Sequence, residues 1–250
     1  MSSLVSRDIV VIKLGGSVLT DRSAYRQVAA CLARRVAGSA AKFLVVVSAE
    51  LGHTDALLAE ARAVASAPDA AALDLLWSTG ELRSVALVTL ALQAANVPAV
   101  GLNAHEAGLR ADDGSFTLNP LRLRAALAQH RIVVVPGFLA TSGQRLVTLG
   151  RGGSDLSAVV LAVALGAARC ELVKDVDGYF TADPRSNARA TLIPRIHVDD
   201  ALQLADDGCP LVQRQAITAA RDACLPLIVR SLTSEGTVVT PAQTSHFPTS

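Results

Sequence analysis

Four short and almost unbroken apolar runs constrain the fold of this chain more than any other feature of its sequence. They are IVVIKL at residues 9–14, FLVVVS at 43–48, IVVVPGF at 132–138 and CELVKD at 170–175. Strands of a parallel sheet are buried on both faces, so they read as continuous hydrophobic runs rather than alternating ones. Shorter runs at 97–102 and 225–231 fit the same description. Together the runs predict a buried, mostly parallel sheet.

Helical patterns fill the segments between these runs. They cover residues 22–37, 54–65, 70–95, 154–165, 199–206 and 214–223, and a turn signal, DDGS, predicts a hairpin at 112–117. Alternating strands and helices indicate an α/β fold whose sheet is covered on both faces, with ligands at the carboxyl ends of the strands. No Pro/Gly/Ser-rich linker or internal repeat divides the chain. We therefore expect one two-lobed domain at 1–240 and a tail at 241–250.

Composition argues against several classes of function. The formal net charge of the 250 residues is only +1 and aromatic residues make up 3%, so we expect no nucleic-acid partner. No apolar run reaches the ~18 residues of a membrane span, and the N-terminus has no signal-peptide core. The four cysteines form no CxxC pair and no zinc spacing. These features predict reduced thiols, a cytoplasmic location, and neither a membrane partner nor a metal site built by the chain.

Two glycine-rich turns are the first signals of chemistry. KLGGS, residues 13–17, follows the first strand; bare glycine backbone and the start of a helix can bind an anion there, and a lysine can stabilise a phosphoryl group in transfer. GRGGSD, residues 150–155, carries an arginine that can hold a carboxylate or a phosphate. Each turn alone also has a structural explanation, a tight turn in the first and helix capping by Ser154 or Asp155 in the second.

Four segments in one order make a sharper signal. They are SAELGHTD at 48–55, WSTGELRS at 77–84, GRGGSD at 150–155 and KDVDGYFTADPR at 174–185. Over about residues 10–229 the chain resembles the amino-acid kinase family, and specifically the catalytic domain of aspartate kinases. That resemblance implies a three-layer α/β/α sandwich and transfer of the γ-phosphoryl group of ATP to the side-chain carboxylate of an amino acid, first of all L-aspartate. It also implies Mg²⁺ carried with the nucleotide, and we expect a homodimer.

The resemblance assigns roles to individual residues. Lys13 would stabilise the transferred phosphoryl group, and Asp155 would orient the catalytic groups. The nucleotide site, in the C-terminal lobe apart from its phosphate cradle, would comprise Gly15, Gly16, Ser17, Asp175, Tyr179, Phe180, Asp183 and Arg185, and we add Lys174 to it from its place at the end of a strand. The acceptor site, in the N-terminal lobe, would comprise Thr54, Glu81, Phe138, Arg151 and Ser154. Arg151 suits a substrate carboxylate and Glu81 a substrate ammonium, and the attacking carboxylate is already ionised at pH 7.

The chain departs from the family pattern in three respects. GCPLVQRQA at 208–216 resembles the family's GAKVLHPRT, but Pro210 stands in place of a nucleotide-binding lysine. KDVDGYF replaces TDVDGVY, so Lys174 occupies a threonine position and Phe180 a tyrosine position. The regulatory ACT domains of aspartate kinases do not occur in these 250 residues, so we expect no feedback control through them.

Alternatives remain open for Lys174 and for the whole protein. For Lys174 there are three alternatives: it replaces the nucleotide-binding lysine that is lost at Pro210, it marks a degraded nucleotide site, or it is a strand-end lysine directed at solvent. We favour the first because the other charged residues of the family pattern remain. The function is then an aspartate kinase without ACT control, a kinase for another acidic amino acid or related carboxylate in a specialised pathway, or a non-catalytic nucleotide- or amino-acid-binding relative. Lys13 and Asp155 favour an enzyme, whereas Pro210 favours the binding protein.

Overall fold

A computed structural model describes residues 8–112, 115–150, 153–209 and 211–240. The strands are β1 Ile9–Leu14, β2 Lys42–Val47, β3 Ala99–Gly101, β4 Leu109–Asp112, β5 Ser115–Leu118, β6 Ile132–Pro136, β7 Leu139–Ser142, β8 Arg145–Thr148, β9 Arg169–Val173, β10 Arg195–His197, β11 Leu227–Arg230 and β12 Thr237–Thr240. The helices are α1 Arg22–Ala37, α2 His53–Val64, α3 Ala70–Ala94, α4 Ala104–Ala107, α5 Pro120–Gln129, α6 Gly153–Leu165, α7 Val198–Asp206 and α8 Arg214–Asp222. The expected tail at 241–250 lies outside the described residues, and the domain bounds stay a prediction.

The main sheet has eight strands in the order β10-β12-β11-β9-β1-β2-β6-β3. Neighbouring strands are parallel except for β11 and β12. Strand β1 lies between β9 and β2, and all six of its residues are buried. The α/β fold with a mostly parallel sheet, predicted from the continuous apolar runs, is confirmed.

Helices cover both faces of this sheet and make the architecture three-layered. Successive strand residues point to opposite faces. Val11 of β1 therefore packs in a core with residues of α6 and α8, whereas its neighbours Val10 and Ile12 pack in a second core with α1 and α3. Because each strand residue meets a covered face, the strand sequences contain few polar positions.

A smaller sheet, in the order β5-β4-β7-β8, accompanies the main one. The predicted hairpin is present, with Asp112 of β4 opposite Ser115 of β5, while residues 113–114 of its turn lie outside the described ranges. Helix α5 and the strands β7, β8, β10 and β12 were not predicted individually. The strands have only three or four residues each, too few for a clear periodicity. For α5 the signal existed, since Asn119 caps it and Pro120 is its first residue.

Helix α3, with 25 residues, is long and apolar enough by length and composition to cross a membrane. Core helices of folded domains pass the same test. Here Val85, Val88 and Leu92 are buried in the core that α3 shares with α1 and the sheet. The helix also buries the carboxyl group of Glu81.

A buried carboxylate joins α1 to the middle of the sheet. Glu171 of β9 is 1% exposed and accepts two hydrogen bonds from the Arg35 guanidinium, at 2.6 and 2.7 Å, and one from Arg169 Nε at 2.8 Å. Burial acts to raise the pKa of Glu171, but the bonds and charges of Arg35 and Arg169 outweigh it and hold that pKa below its usual range. The ionised form is therefore the one that stabilises the fold.

Replacing Glu171 tests this contribution. We expect Glu171→Ala to lower the free energy of unfolding by about 3 kcal/mol or more, because it leaves partly buried guanidinium groups without their carboxylate. The matched control is Asp206→Ala, which removes an exposed pair with Arg214 and should cost far less, because exposed ion pairs contribute little to stability. Chemical denaturation measures both values, and equal losses in the two variants would contradict a special role for Glu171.

Candidate active site

Three charged side chains meet where β1 and β9 end side by side. Lys13 lies near the end of β1, Lys174 directly follows β9, and Asp155 lies in the first turn of α6. The Nζ of Lys13 is 2.9 Å from Oδ1 of Asp155, and the Nζ of Lys174 is 2.7 Å from Oδ2. Lys13 and Asp155 are only 5% and 4% exposed. One buried carboxylate thus holds two ammonium groups, so the trio Lys13–Asp155–Lys174 carries one positive charge in excess.

The protonation states of the trio follow from this arrangement. Burial acts to raise the pKa of Asp155, but the charges of Lys13 and Lys174 outweigh it and hold that pKa below its usual range. Burial and the charge of Lys13 lower the pKa of Lys174, against the attraction of Asp155. Asp155 is therefore not a surface helix cap, and Lys174 is not directed at solvent. A buried site with surplus positive charge suits a phosphate group.

The glycine turn KLGGS lies beside the trio. The N–H of Gly15 donates to the last carbonyl of β9 at 3.1 Å, and the hydroxyl of Ser17 donates to Asp175 at 2.9 Å. A Cβ on Gly16 would lie 2.7 Å from the carbonyl oxygen of Ala49, closer than real Cβ atoms come. The close packing of the two loops therefore requires glycine at this position.

A short connecting segment separates the KLGGS turn from the first long helix. A single 3₁₀ turn covers Gly16–Val18, and α1 begins only at Arg22. The Asp21 side chain caps α1 by accepting bonds from the N–H groups of residues 23 and 24. Helix α1 therefore begins at the predicted residue, and its positive end lies beyond the KLGGS turn rather than at it. An anion at this turn would be held by backbone N–H groups and the two lysines.

Glu81, in the middle of α3, is 3% exposed. Its Oε1 accepts a hydrogen bond from the N–H of Ala49 at 2.8 Å, and its Oε2 accepts from those of Gly137 and Phe138 at 3.1 and 3.2 Å. Burial raises the pKa of Glu81 to about 7, against these three N–H groups and the charge of Lys13. The sequence predicted a contact with a substrate ammonium, but the structure places this carboxylate against the main chain of two strand-end loops.

Most other residues of the expected acceptor site lie on these same loops and on the helices beside them. Ser154, buried in α6, accepts a hydrogen bond from the hydroxyl of Ser48 at 3.1 Å. The rings of Phe138 and Trp77 meet edge to face, with centroids 6.3 Å apart. The indole N–H of Trp77 donates to the carbonyl of Thr54 at 3.2 Å. These contacts join α2, α3, α6 and the loop after β6.

Sequence reasoning missed three of the residues that build this region. Asp74 of α3 accepts hydrogen bonds from the N–H and hydroxyl of Thr148, at 3.1 and 2.6 Å, and so anchors the strand that leads into GRGGSD. Trp77 and Ser48 were quoted within motifs but received no role. The single tryptophan of the chain was a usable signal, since a tryptophan beside a predicted site usually buries its ring and bonds its N–H.

The predicted nucleotide segment is divided between the core and the surface. Asp175 is exposed next to the trio, and Phe180 is partly exposed. Tyr179 is 3% exposed and packs in the core that contains α6, so its ring is enclosed rather than presented to a ligand. Asp183 and Arg185 pair with each other on an exposed loop, at 3.2 Å.

Two positions that matter to the interpretation lie outside the described residues. Arg151, expected to hold a substrate carboxylate, is one, and Pro210, in place of the family lysine, is the other. Among the residues that the structure describes, no group of three or more His, Cys, Asp or Glu side chains is assembled to hold a metal ion.

Proteins similar to this chain in both sequence and structure include aspartate kinases. An aspartokinase of Thermus thermophilus is 39% identical over 232 residues, which are 89% of this chain and 56% of that protein. The crystal structure of aspartate kinase from Synechocystis superposes with a TM-score of 0.85 at 36% identity, covering 93% of this chain and 40% of that one. E. coli aspartokinase III in complex with aspartate and ADP superposes with a TM-score of 0.79 at 26% identity, covering 95% and 65%.

The matched ranges show which part of the relatives corresponds to this chain. The chain spans about half the length of the curated relatives it matches. The family model named "Amino acid kinase family" matches residues 8–231, from the start of β1 to the end of β11. Because that match includes the trio, the glycine turn and both strand-end loops, the chain belongs to the amino acid kinase family.

Proposed function

We propose that this chain is an ATP-dependent kinase that phosphorylates the side-chain carboxylate of L-aspartate to give 4-phospho-L-aspartate. The observation that carries the proposal is the buried carboxylate of Asp155 with two lysine ammonium groups beside a glycine turn. The aspartokinase relatives support the same reaction, and the E. coli structure contains aspartate and ADP, the acceptor and the spent donor.

The described residues fit a nucleotide polyphosphate. Within the trio two ammonium groups share one carboxylate, and the glycine turn lies beside it, with Gly15 buried and Gly16 half-buried against the Ala49 carbonyl. Mg²⁺ bound to the nucleotide would neutralise further negative charge on the β- and γ-phosphates. Because ATP and free aspartate are intracellular metabolites, a cytoplasmic location belongs to the proposal, and the homodimer stays a prediction.

The transfer needs little acid–base chemistry from the protein. An aspartate side chain, with an ordinary pKa of about 3.9, is already ionised at pH 7 and attacks the γ-phosphorus directly. The bond from that phosphorus to its bridging oxygen breaks, ADP leaves with the electron pair, and an acyl phosphate forms. Lys13 would neutralise charge on the transferred group, while Asp155 keeps the Lys13 ammonium in place.

A second candidate keeps the reaction and changes the acceptor. The Glu81 carboxylate, expected to hold the acceptor's ammonium, is already engaged by three backbone N–H groups. An acidic acceptor other than aspartate is therefore compatible with the site. The intact trio favours either kinase over a non-catalytic binding protein.

Trapping the acyl phosphate tests the proposal. We expect ATP-dependent hydroxamate formation when the protein is incubated with hydroxylamine and aspartate, and a weaker signal or none with glutamate and N-acetylglutamate. A stronger signal with one of these would select the second candidate. No hydroxamate with any acidic acceptor, from folded protein that binds ATP, would refute the kinase.

Lys13→Ala should lower kcat by about a hundredfold or more, because its charge acts mainly on the transition state. The Michaelis constants for ATP and aspartate should change only a few-fold. Lys42→Ala is the matched control, since Lys42 donates to the His130 carbonyl at the opposite end of the sheet, and it should keep its turnover. Near-normal turnover in Lys13→Ala would contradict the assignment.

Lys174→Thr, which restores the family residue, should raise the Michaelis constant for ATP at least several-fold. The expected cause is the loss of a charge-assisted contact to the phosphates from an ammonium that already lies 2.7 Å from Asp155. Adding Pro210→Lys should recover part of the loss, and Lys42→Thr should have no effect. Steady-state kinetics with varied ATP measures these constants; an unchanged value in Lys174→Thr would refute its role.

A further inference from the structure

The contacts of Glu81 suggest a task in addition to holding a ligand. A carboxylate has about four lone-pair positions, and main-chain N–H groups occupy three of them here. Both oxygens are engaged, and the residue is 3% exposed. The donors come from two separate loops, Ala49 after β2 and Gly137 with Phe138 after β6. The carboxylate therefore ties two strand ends together from within α3.

The loop after β2 leads to the phosphoryl side of the site. Its Ala49 carbonyl packs so closely on Gly16 that a Cβ there would lie 2.7 Å away. Its Ser48 hydroxyl donates to Ser154 at 3.1 Å, next to Asp155 in α6. A shift of this loop would therefore be transmitted to the glycine turn and to the start of α6.

The loop after β6 leads to the acceptor side. The Gly137 carbonyl accepts a hydrogen bond from Ser157 of α6 at 2.6 Å, and a Cβ on Gly137 would lie 2.9 Å from that of Ser154. The next residue, Phe138, packs against Trp77, which bonds the Thr54 carbonyl. The same carboxylate thus holds the main chain that carries the expected acceptor contacts.

We propose that Glu81 is a positioning residue, whose carboxylate fixes the spacing between the phosphate turn and the acceptor loop and so acts on phosphoryl transfer. This inference rests on the proposed kinase function. In-line transfer is sensitive to such spacing, since a displacement of about 1 Å can cost on the order of a hundredfold in rate.

Glutamate is suited to this task because both oxygens of its carboxyl group can accept hydrogen bonds. In Glu81→Gln the amide NH₂ must face at least one of the three backbone donors, so a buried N–H loses its partner. The substitution keeps size and shape, so it isolates the hydrogen-bond pattern. The matched control is Glu60→Gln, which makes the same chemical change on the exposed surface of α2.

Hydrogen exchange of backbone amides, measured by NMR, tests whether Glu81 holds the two loops together, and the measurement does not depend on catalysis. In the intact protein the amides of Ala49 and Phe138, which lie outside regular strands, should exchange slowly. In Glu81→Gln at least one of the two should exchange at least tenfold faster, while Glu60→Gln leaves both unchanged. If the intact protein already exchanges these two amides freely, the tie does not exist, and this outcome needs no variant to fold.

Kinetics separates positioning from a direct contact with the acceptor. Positioning predicts that Glu81→Gln lowers kcat for aspartate about tenfold or more, because transfer itself is impaired. A Glu81 that only held the ammonium would raise the Michaelis constant for aspartate at unchanged kcat, and that result would overturn the inference. The two proposals can fail separately. If the amides exchange slowly but no acceptor gives an acyl phosphate, the proposed kinase function is overturned. If the enzyme is active but the amides of Ala49 and Phe138 exchange freely, the positioning role of Glu81 is overturned.

Discussion

The contact of Asp155 with two lysines depends on the parallel pairing of β1 with β9. That pairing sets Leu14 opposite Val173, so that Lys13 and Lys174 emerge at the same edge of the sheet. Helix α6 then starts over this edge and inserts Asp155 between the two ammonium groups. Burying a charge is costly unless it is paired, and within the trio two ammonium groups share one carboxylate. A phosphate group would complete the balance, which links the stability of the site to its ligand.

Two carboxylates at this sheet edge are placed in opposite surroundings. Asp155 lies between cations that hold its pKa low, while burial raises the pKa of Glu81 to about 7 against the opposing effect of three backbone N–H groups. Asp155 binds the two lysine ammonium groups, and Glu81 binds the main chain of the two loops. In the proposed transfer neither would need to accept a proton from the acceptor carboxylate, which is ionised already. Positioning and charge neutralisation are sufficient for this kind of transfer.

Much of the fold was predictable from local pattern. Continuous apolar runs identified the parallel strands β1, β2, β6 and β9, since both of their faces are covered, and helical spacing identified α1 and α3. The short strands β7 and β8 were missed because four residues carry too little pattern. Helix α1 begins at Arg22, as the helical pattern predicted, with Asp21 as its cap. In the KLGGS turn, Gly16 is required by the close approach of the Ala49 carbonyl. This contact between two loops is not revealed by sequence spacing.

The sequence by itself determined the class of fold, the glycine turns and the family, since these depend on residue types at short separations along the chain. Lys13, Asp155 and Glu81 could be named as candidates for the same reason. Only the tertiary structure decided that Lys174 shares the carboxylate of Asp155, 19 residues away, and that Glu81 bonds main chain 32 and 56 residues away. Such contacts depend on which strand ends the sheet order brings together. A linear pattern holds no information about the atoms that face a side chain across the sheet edge.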